Sequence, residues 1–242
     1  MNQKAARVEP MMIFNLALRR IVNFLTDSKF RNSFLSAVLK FGLDFLSGLN
    51  IYSNMNLFEQ LQKSYILLQE LMENRELHER VEKAVSLISR TVSEEKPLLV
   101  CGNGGSASDA EHITGELVGR FLKERRAIPA ICLSSNSAAL TAWANDYEYE
   151  TVFSRQVEGF GKRGGVLFAI TTSGNSKNVL SAAKKAKELN LPVISLTGKG
   201  GGKIAELSDI LLDVPSDSTP RIQELHIMIY HYICEKVEFL YT

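Results

Sequence analysis

Beyond Pro97 the chain alternates short apolar runs with stretches of helical periodicity. The runs occupy residues 98–101, 130–133, 166–170, 193–196 and 210–214. Parallel strands need long crossover connections, so this alternation predicts βαβ units around one parallel sheet. Five buried strands with helices between them make a doubly wound α/β sandwich. Ligands of such a sheet sit beyond the carboxyl ends of its strands. The places to look for chemistry are therefore the loops after Cys101, Leu133, Ile170, Leu196 and Val214.

Two helices are predicted ahead of Pro97. Leu57, Leu61, Tyr65, Leu68 and Met72 keep helical spacing, and so do Leu77, Val81, Ala84, Val85 and Ile88. The first 54 residues differ in character, with seven basic residues against three acids, a net +4. The whole chain carries +1, so residues 55–242 carry −3. The domain division expected is thus an N-terminal extension, residues 1–54, and one α/β domain, residues 55–242. Three readings of the extension stay open. It is an accessory helical segment packed on the body, a stretch upstream of a true start at Met55, or a basic amphipathic targeting or membrane-surface segment.

Several function classes drop out on composition. No apolar run reaches the roughly 18 residues of a membrane span. A net charge of +1 lacks the basic footprint of a nucleic-acid binder. Cys101, Cys132 and Cys234 form no C-x-x-C pair, which fits a reducing, cytoplasmic setting better than a disulfide scaffold. Residues 221–241 have helical length but are apolar nearly all round. A helix without a wet face is buried on every side, so a homo-oligomer is expected.

The first strand runs into Gly102-Asn103-Gly104-Gly105-Ser106, where small residues let backbone N–H groups approach an anion at a helix N-terminus. Gly102, Gly104 and Ala107 also satisfy a dinucleotide fingerprint. The second strand, however, ends in Ser134-Ser135-Asn136 without the acid that would hold a ribose, which argues against a nicotinamide cofactor. The third strand leads into Thr171-Thr172-Ser173-Gly174-Asn175-Ser176 and a helix over 177–189. One N-cap needs one hydroxyl; four beside a glycine read as a phosphate cradle. Residues 198–202, although flanked by Lys199 and Lys203, read as a flexible loop. His112 and Glu116 share a helix face four residues apart, suiting a metal or proton transfer. A plain surface hydrogen bond is the bland alternative. Gln223, His226 and His231 are further candidates, His226 equally as a core histidine, and His78 reads as solvated. Asn145 and Asp146 are expected near the strand ends, where they could orient a sugar.

Taken together, the glycine motif with His112, the Glu116-Leu117-Val118-Gly119-Arg120-Phe121 run, Asn145-Asp146-Tyr147, Thr172-Ser173-Gly174-Asn175-Ser176, and Thr219-Pro220-Arg221-Ile222-Gln223-Glu224 with His231 resemble the phosphoheptose isomerases of the sugar isomerase (SIS) domain superfamily. The resemblance covers residue 57 onward; residues 1–54 have no counterpart in it. It implies a flavodoxin-like three-layer sandwich with a five-stranded parallel sheet, preceded by N-terminal helices and assembled as a homotetramer with active sites between subunits. It further implies conversion of sedoheptulose 7-phosphate to D-glycero-D-manno-heptose 7-phosphate through an enediol, the first step of activated-heptose synthesis for surface polysaccharide.

By position, the resemblance makes Asn103, Gly104, Gly105, Ser106, Glu116, Asn145, Asp146, Thr171, Thr172, Ser173, Ser176 and Gln223 substrate-binding. It makes Glu116 and His231 catalytic. It makes His112, Glu116, Gln223 and His231 ligands of one zinc per subunit. Two physical difficulties accompany this set. A carboxylate bound to zinc is a weakened base, so Glu116 needs loose coordination to act on carbon. Gln223 and His231 lie eight residues apart on one helix, about 12 Å along its axis and about 80° round it, so they converge on one ion only if the helix bends or a second subunit contributes. The competing class is a non-catalytic SIS-domain protein that binds the replication initiator or senses a sugar phosphate; the presence of both Glu116 and His231 favours the enzyme.

Overall fold

A computed structural model of the chain describes residues 55–241, and the expectations for residues 1–54 lie outside the described residues. Residues 61–242 form one compact unit. Two helices, α1 (Met55–Glu73) and α2 (Arg75–Ser93), precede the sheet. Asn74 separates them, its side-chain oxygen accepting the Leu77 N–H at 3.0 Å, an N-cap that lets the chain turn between two strong helix formers. There follow β1 (Leu98–Cys101), α3 (Gly105–Val118), β2 (Ala130–Cys132), α4 (Ser137–Asp146) and α5 (Val152–Gly161). The order continues with β3 (Val166–Thr171), α6 (Lys177–Glu188), β4 (Val193–Thr197), β5 (Ile210–Asp213) and α7 (Thr219–Tyr241). Every run expected as a strand is one, with ends shifted by at most a residue.

The sheet has the order β2-β1-β3-β4-β5, all parallel. That is the flavodoxin-like order, whose switch point lies between β1 and β3. Alternate strand residues feed two separate cores. Leu98, Val100, Val166, Phe168, Ile170, Ile194 and Leu196 pack with α2, α3 and α7 on one face. Leu99, Leu167, Ala169 and Val193 pack with α5 and α6 on the other. Both faces are covered, which is why the strands read as unbroken apolar runs instead of alternating ones.

Cys101, Cys132 and Cys234 are free thiols. Burial holds Cys101 well above the ordinary thiol range and pushes Cys234 up to about 12. Both are therefore inert packing residues. No described helix is long and apolar enough to cross a membrane.

Helix α7 buries Ile222, Leu225, Ile229, Tyr230, Ile233 and Val237 against the sheet side. It leaves Met228, Tyr232, Phe239 and Leu240 exposed, and α1 leaves Tyr65, Ile66 and Met72 exposed. The sequence expectation of an all-round apolar helix is thus met in a divided way. One side of α7 is core, and the other carries the exposed apolar residues Met228, Tyr232, Phe239 and Leu240.

Candidate active site

The chain leaves β1 toward α3, on one face of the sheet, and leaves β3 toward α6, on the other. The two loops flagged from sequence therefore flank the switch point, where departing chains open a crevice. In the first loop, a Cβ on Gly102 would lie 2.3 Å from the Ser106 carbonyl oxygen, so only glycine allows so tight an entry into α3. Ser134, at the end of β2, donates its hydroxyl to the Gly102 carbonyl at 2.8 Å. Asn103 does not stand free. Its amide nitrogen donates to the Asn178 side-chain oxygen and its own oxygen accepts from the Asn178 amide, both at 2.8 Å. Tyr149 adds its hydroxyl to the same Asn103 oxygen at 3.1 Å. The glycine loop is thereby tied to the start of α6. Asn178 is a buried residue that sequence reasoning missed, because nothing in its helical surroundings marks it as facing a loop 75 residues upstream.

The second loop keeps its hydroxyls close together. Thr171 and Ser176 face each other at 3.1 Å, and Ser173 accepts the Asn175 N–H at 3.2 Å. Ser176 sits at the N-cap of α6 but makes no side-chain capping bond; Asn178 Oδ1 accepts the Val179 N–H at 3.0 Å, which leaves the Lys177 and Asn178 N–H groups for another acceptor. Residues 198–202, expected to be a flexible loop, are instead packed on this cradle. Gly198 donates to Thr172, Ile204 to the Gly174 carbonyl at 3.0 Å, and Lys203 to the Asn175 side chain. Gly200, Gly201 and Gly202 all take left-handed φ values, so the glycines set a shape rather than supply mobility.

Gly174 itself has φ +66°, and a Cβ there would come within 1.8 Å of the Gly201 carbonyl oxygen. Gly174→Ala is expected to lower stability by at least about 1–3 kcal/mol from backbone strain alone. A thermal melt checks this, and an unchanged midpoint would contradict the packing of the two loops.

The chemistry-bearing triad lies further down α3. His112 Nε2 stands 3.0 Å from Glu116 Oε1, the helical pair expected from the spacing. His231, from α7, lays its ring edge-on to His112 with centroids 5.0 Å apart, and rests on Phe121 at 5.6 Å. One ligand atom from each of His112, Glu116 and His231 lies within 4.8 Å of the other two. Burial and the neighbouring His112 lower the His231 pKa, with Glu116 pulling the other way, so this imidazole is neutral at pH 7. Its Nε2 is buried without a hydrogen-bond partner. Among the described residues the second Glu116 oxygen, Oε2, makes no hydrogen bond.

Two imidazole nitrogens and a carboxylate thus converge, with the contact between His112 Nε2 and Glu116 Oε1 the one hydrogen bond among these ligand atoms in the described residues. Such a set fits a divalent cation with nitrogen and oxygen preferences. It leaves the buried His231 nitrogen otherwise unexplained.

Gln223 does not join this cluster within the chain. Its amide sits against Gly105, where a Cβ would meet Gln223 Nε2 at 2.1 Å. Helices α3 and α7 lie side by side, Gly105 next to Gln223 and His112 next to Tyr230 and His231. Since α7 runs from Thr219 to Tyr241 as one α-helix, Gln223 stays about 12 Å along the axis from His231. Asn145 donates to Asp146 at 2.9 Å, and both are exposed. The segment just after them is held at the strand ends by the Tyr149–Asn103 bond and a Glu150–Lys177 ion pair of 2.5 Å. His226 is wholly buried and its pKa is lowered to about 4 by desolvation, which makes it a core histidine. His78 is exposed, with its Nε2 2.9 Å from the Leu71 carbonyl oxygen.

Residues 62–198 match the SIS domain family. The chain is 49% identical over 180 residues to a phosphoheptose isomerase of Helicobacter pylori strain P12, covering 74% of this chain and 94% of that protein. A solved phosphoheptose isomerase from Neisseria gonorrhoeae superposes with a TM-score of 0.72 at 39% identity, over 77% of this chain and 98% of the other. One from Francisella tularensis superposes at 0.74 with 35% identity and the same coverage.

Proposed function

The chain belongs to the phosphoheptose isomerase family of SIS domain proteins, and from that premise we propose that it converts sedoheptulose 7-phosphate to D-glycero-D-manno-heptose 7-phosphate, the first step toward activated heptose. The observation that carries this reading is the meeting of Glu116 and His231, from different helices, in one cluster with His112. The phosphate binds where hydroxyls and free helix-end amides converge, at Thr171, Thr172, Ser173 and Ser176. Gly104, Gly105 and Ser106 line the glycine-loop side of the crevice. Asn145 and Asp146 contact the sugar. Asn103 acts here through a loop that Asn178 holds in shape.

Moving the carbonyl from C2 to C1 requires a proton to leave C1 and one to arrive at C2, through an enediol. Glu116 carries this carbon-bound proton on Oε2, the oxygen not turned toward His112. His231, neutral and desolvated, serves the substrate oxygens. Each group contributes about 10²–10⁴ in rate. His112, Glu116 and His231 would hold zinc, whose positive charge would polarise the carbonyl and stabilise the developing oxyanion. Three protein ligands with one open position are what a catalytic zinc site requires, and in this reading Gln223 serves the substrate. We assign the protein to the cytoplasm and to a homotetramer. The exposed apolar faces of α1 and α7 support an assembly, and sites between subunits would bring a neighbour's loops to the triad.

The test is incubation of the purified protein with sedoheptulose 7-phosphate, with and without a strong zinc chelator. The aldose is expected to accumulate, and chelation to stop it until zinc is restored. No aldose from the zinc-loaded protein would overturn the reading. A non-catalytic sugar-phosphate sensor would instead bind the ketose unchanged.

A further inference from the structure

On the Nδ1 side of His112, opposite the nitrogen that faces Glu116, lies a chain of polar groups that the reaction itself does not use, built on a Tyr230 ring that also stands edge-on to His231 at 5.0 Å. Tyr230 is almost wholly enclosed in the core between α3 and α7, yet its ring ends in a hydroxyl. That hydroxyl is 3.0 Å from His112 Nδ1 and donates to Asp109 Oδ1 at 3.4 Å. Asp109 sits one turn before His112 on α3, and its other oxygen, Oδ2, is buried without a partner. A phenol has a single proton to give. With that proton directed at Asp109, the only hydrogen bond left for the pair is His112 Nδ1–H donating to the phenol oxygen. The Nδ1 proton in turn leaves Nε2 bare; in that tautomer its 3.0 Å approach to Glu116 Oε1 is no hydrogen bond, and the two acceptors stand together only around a shared cation.

We propose that Asp109 and Tyr230 are positioning residues, a relay that holds His112 in its Nδ1–H tautomer and orients its Nε2 lone pair toward the zinc site. The proposal rests on the metal reading above and adds to it the reason His112 presents the correct nitrogen. A ligating histidine is ordinarily oriented by a carboxylate or carbonyl on its other nitrogen. Here the hydroxyl of a tyrosine from the neighbouring helix stands between the Asp109 carboxylate and His112 Nδ1. The arrangement gives the phenol hydroxyl a use that phenylalanine, filling the same space, would lack. It also couples α7, which carries His231, to α3, which carries His112 and Glu116, so one helix orients the ligands of the other.

The experiment measures Zn²⁺ affinity of the purified full chain by competition with a chromophoric chelator, for the parent, Tyr230→Phe, Asp109→Asn and the double variant. Both single variants are expected to weaken zinc binding by about 10–100-fold. The double variant should be no weaker than the worse of the two, because the residues act in series. The zinc-free melting midpoint of Tyr230→Phe is expected to stay near the parent's, and nitrogen-15 spectra should show the His112 Nδ1 proton in the zinc-loaded parent. Equal zinc affinity in parent and Tyr230→Phe would overturn the relay alone. Effects of the two substitutions that add in full would also overturn it. A parent that binds no zinc would overturn the metal reading and the relay with it.

Discussion

Turnover of sedoheptulose 7-phosphate falls by about 10²–10⁴-fold when Glu116 is replaced by Gln, with little change in KM. The substitution keeps the side chain's shape and one oxygen for the cation, but an amide nitrogen cannot take a proton from carbon. At 1.36 kcal/mol per decade, the loss corresponds to about 3–5 kcal/mol of transition-state stabilisation. Binding should survive, because in the proposed site the phosphate lies with Thr171, Thr172, Ser173 and Ser176, after β3, and away from Glu116. The measurement is steady-state kinetics together with calorimetric titration of a non-reacting sugar phosphate. Undiminished turnover would remove Glu116 as the base. A variant that loses phosphate binding as well would mean that the carboxylate shapes the site rather than reacts in it.

The second large effect is expected at Glu238, far along α7 from the loops. Its carboxylate accepts the backbone N–H groups of Phe121, Leu122 and Lys123 at 2.7–3.0 Å. It also pairs with Arg125 at 3.2 Å, with both side chains only 2% exposed. Arg125 in turn donates to the carbonyls of Gly119 and Glu116. This cluster fastens the segment after α3, and with it Phe121, the floor of His231. Glu238→Ala strands a buried guanidinium and three amides, and should cost about 3–5 kcal/mol. For a domain of this size that is a fall in Tm of roughly 10 °C.

The pH dependence of this effect follows from the carboxyl's own environment. Burial opposes ionisation of Glu238, but the three amides and Arg125 outweigh it and hold the pKa below the ordinary carboxylate value. A depressed folded-state pKa contributes stability that is fully present above the unfolded value, about 4.3, and is lost as pH falls through the folded one. The gap between parent and variant melts should therefore be widest near neutrality and shrink below about pH 4. A gap that grows in acid would contradict the pairing.

Much of the fold was legible because each strand is apolar on both faces and each crossover has its own periodicity. Leu98 and Leu99 already carried the information that two cores exist, since adjacent strand residues point to opposite sides. The site was legible wherever a motif is local. His112 and Glu116 meet because four residues make one helical turn, and the Thr171–Ser176 cradle because its hydroxyls are consecutive. Asn178, Tyr230, Asp109, Arg125 and Glu238 were not legible. Each does its work on a partner from another element, and a sequence of one chain does not say which helices lie side by side. The misreading of residues 198–202 has the same origin. Three glycines signify mobility until Gly174, from another loop, is seen pressed against them.

Residue order alone determined the parallel sheet, the switch-point loops and the kind of chemistry available, because those depend on periodicity and on neighbours a few positions apart. Only the tertiary structure decided that His231 completes the His112–Glu116 pair within one chain while Gln223 remains with the glycine loop. The reason is the packing of α7 alongside α3. That contact sets which residues along two rigid helices come level, and no spacing within either helix contains it.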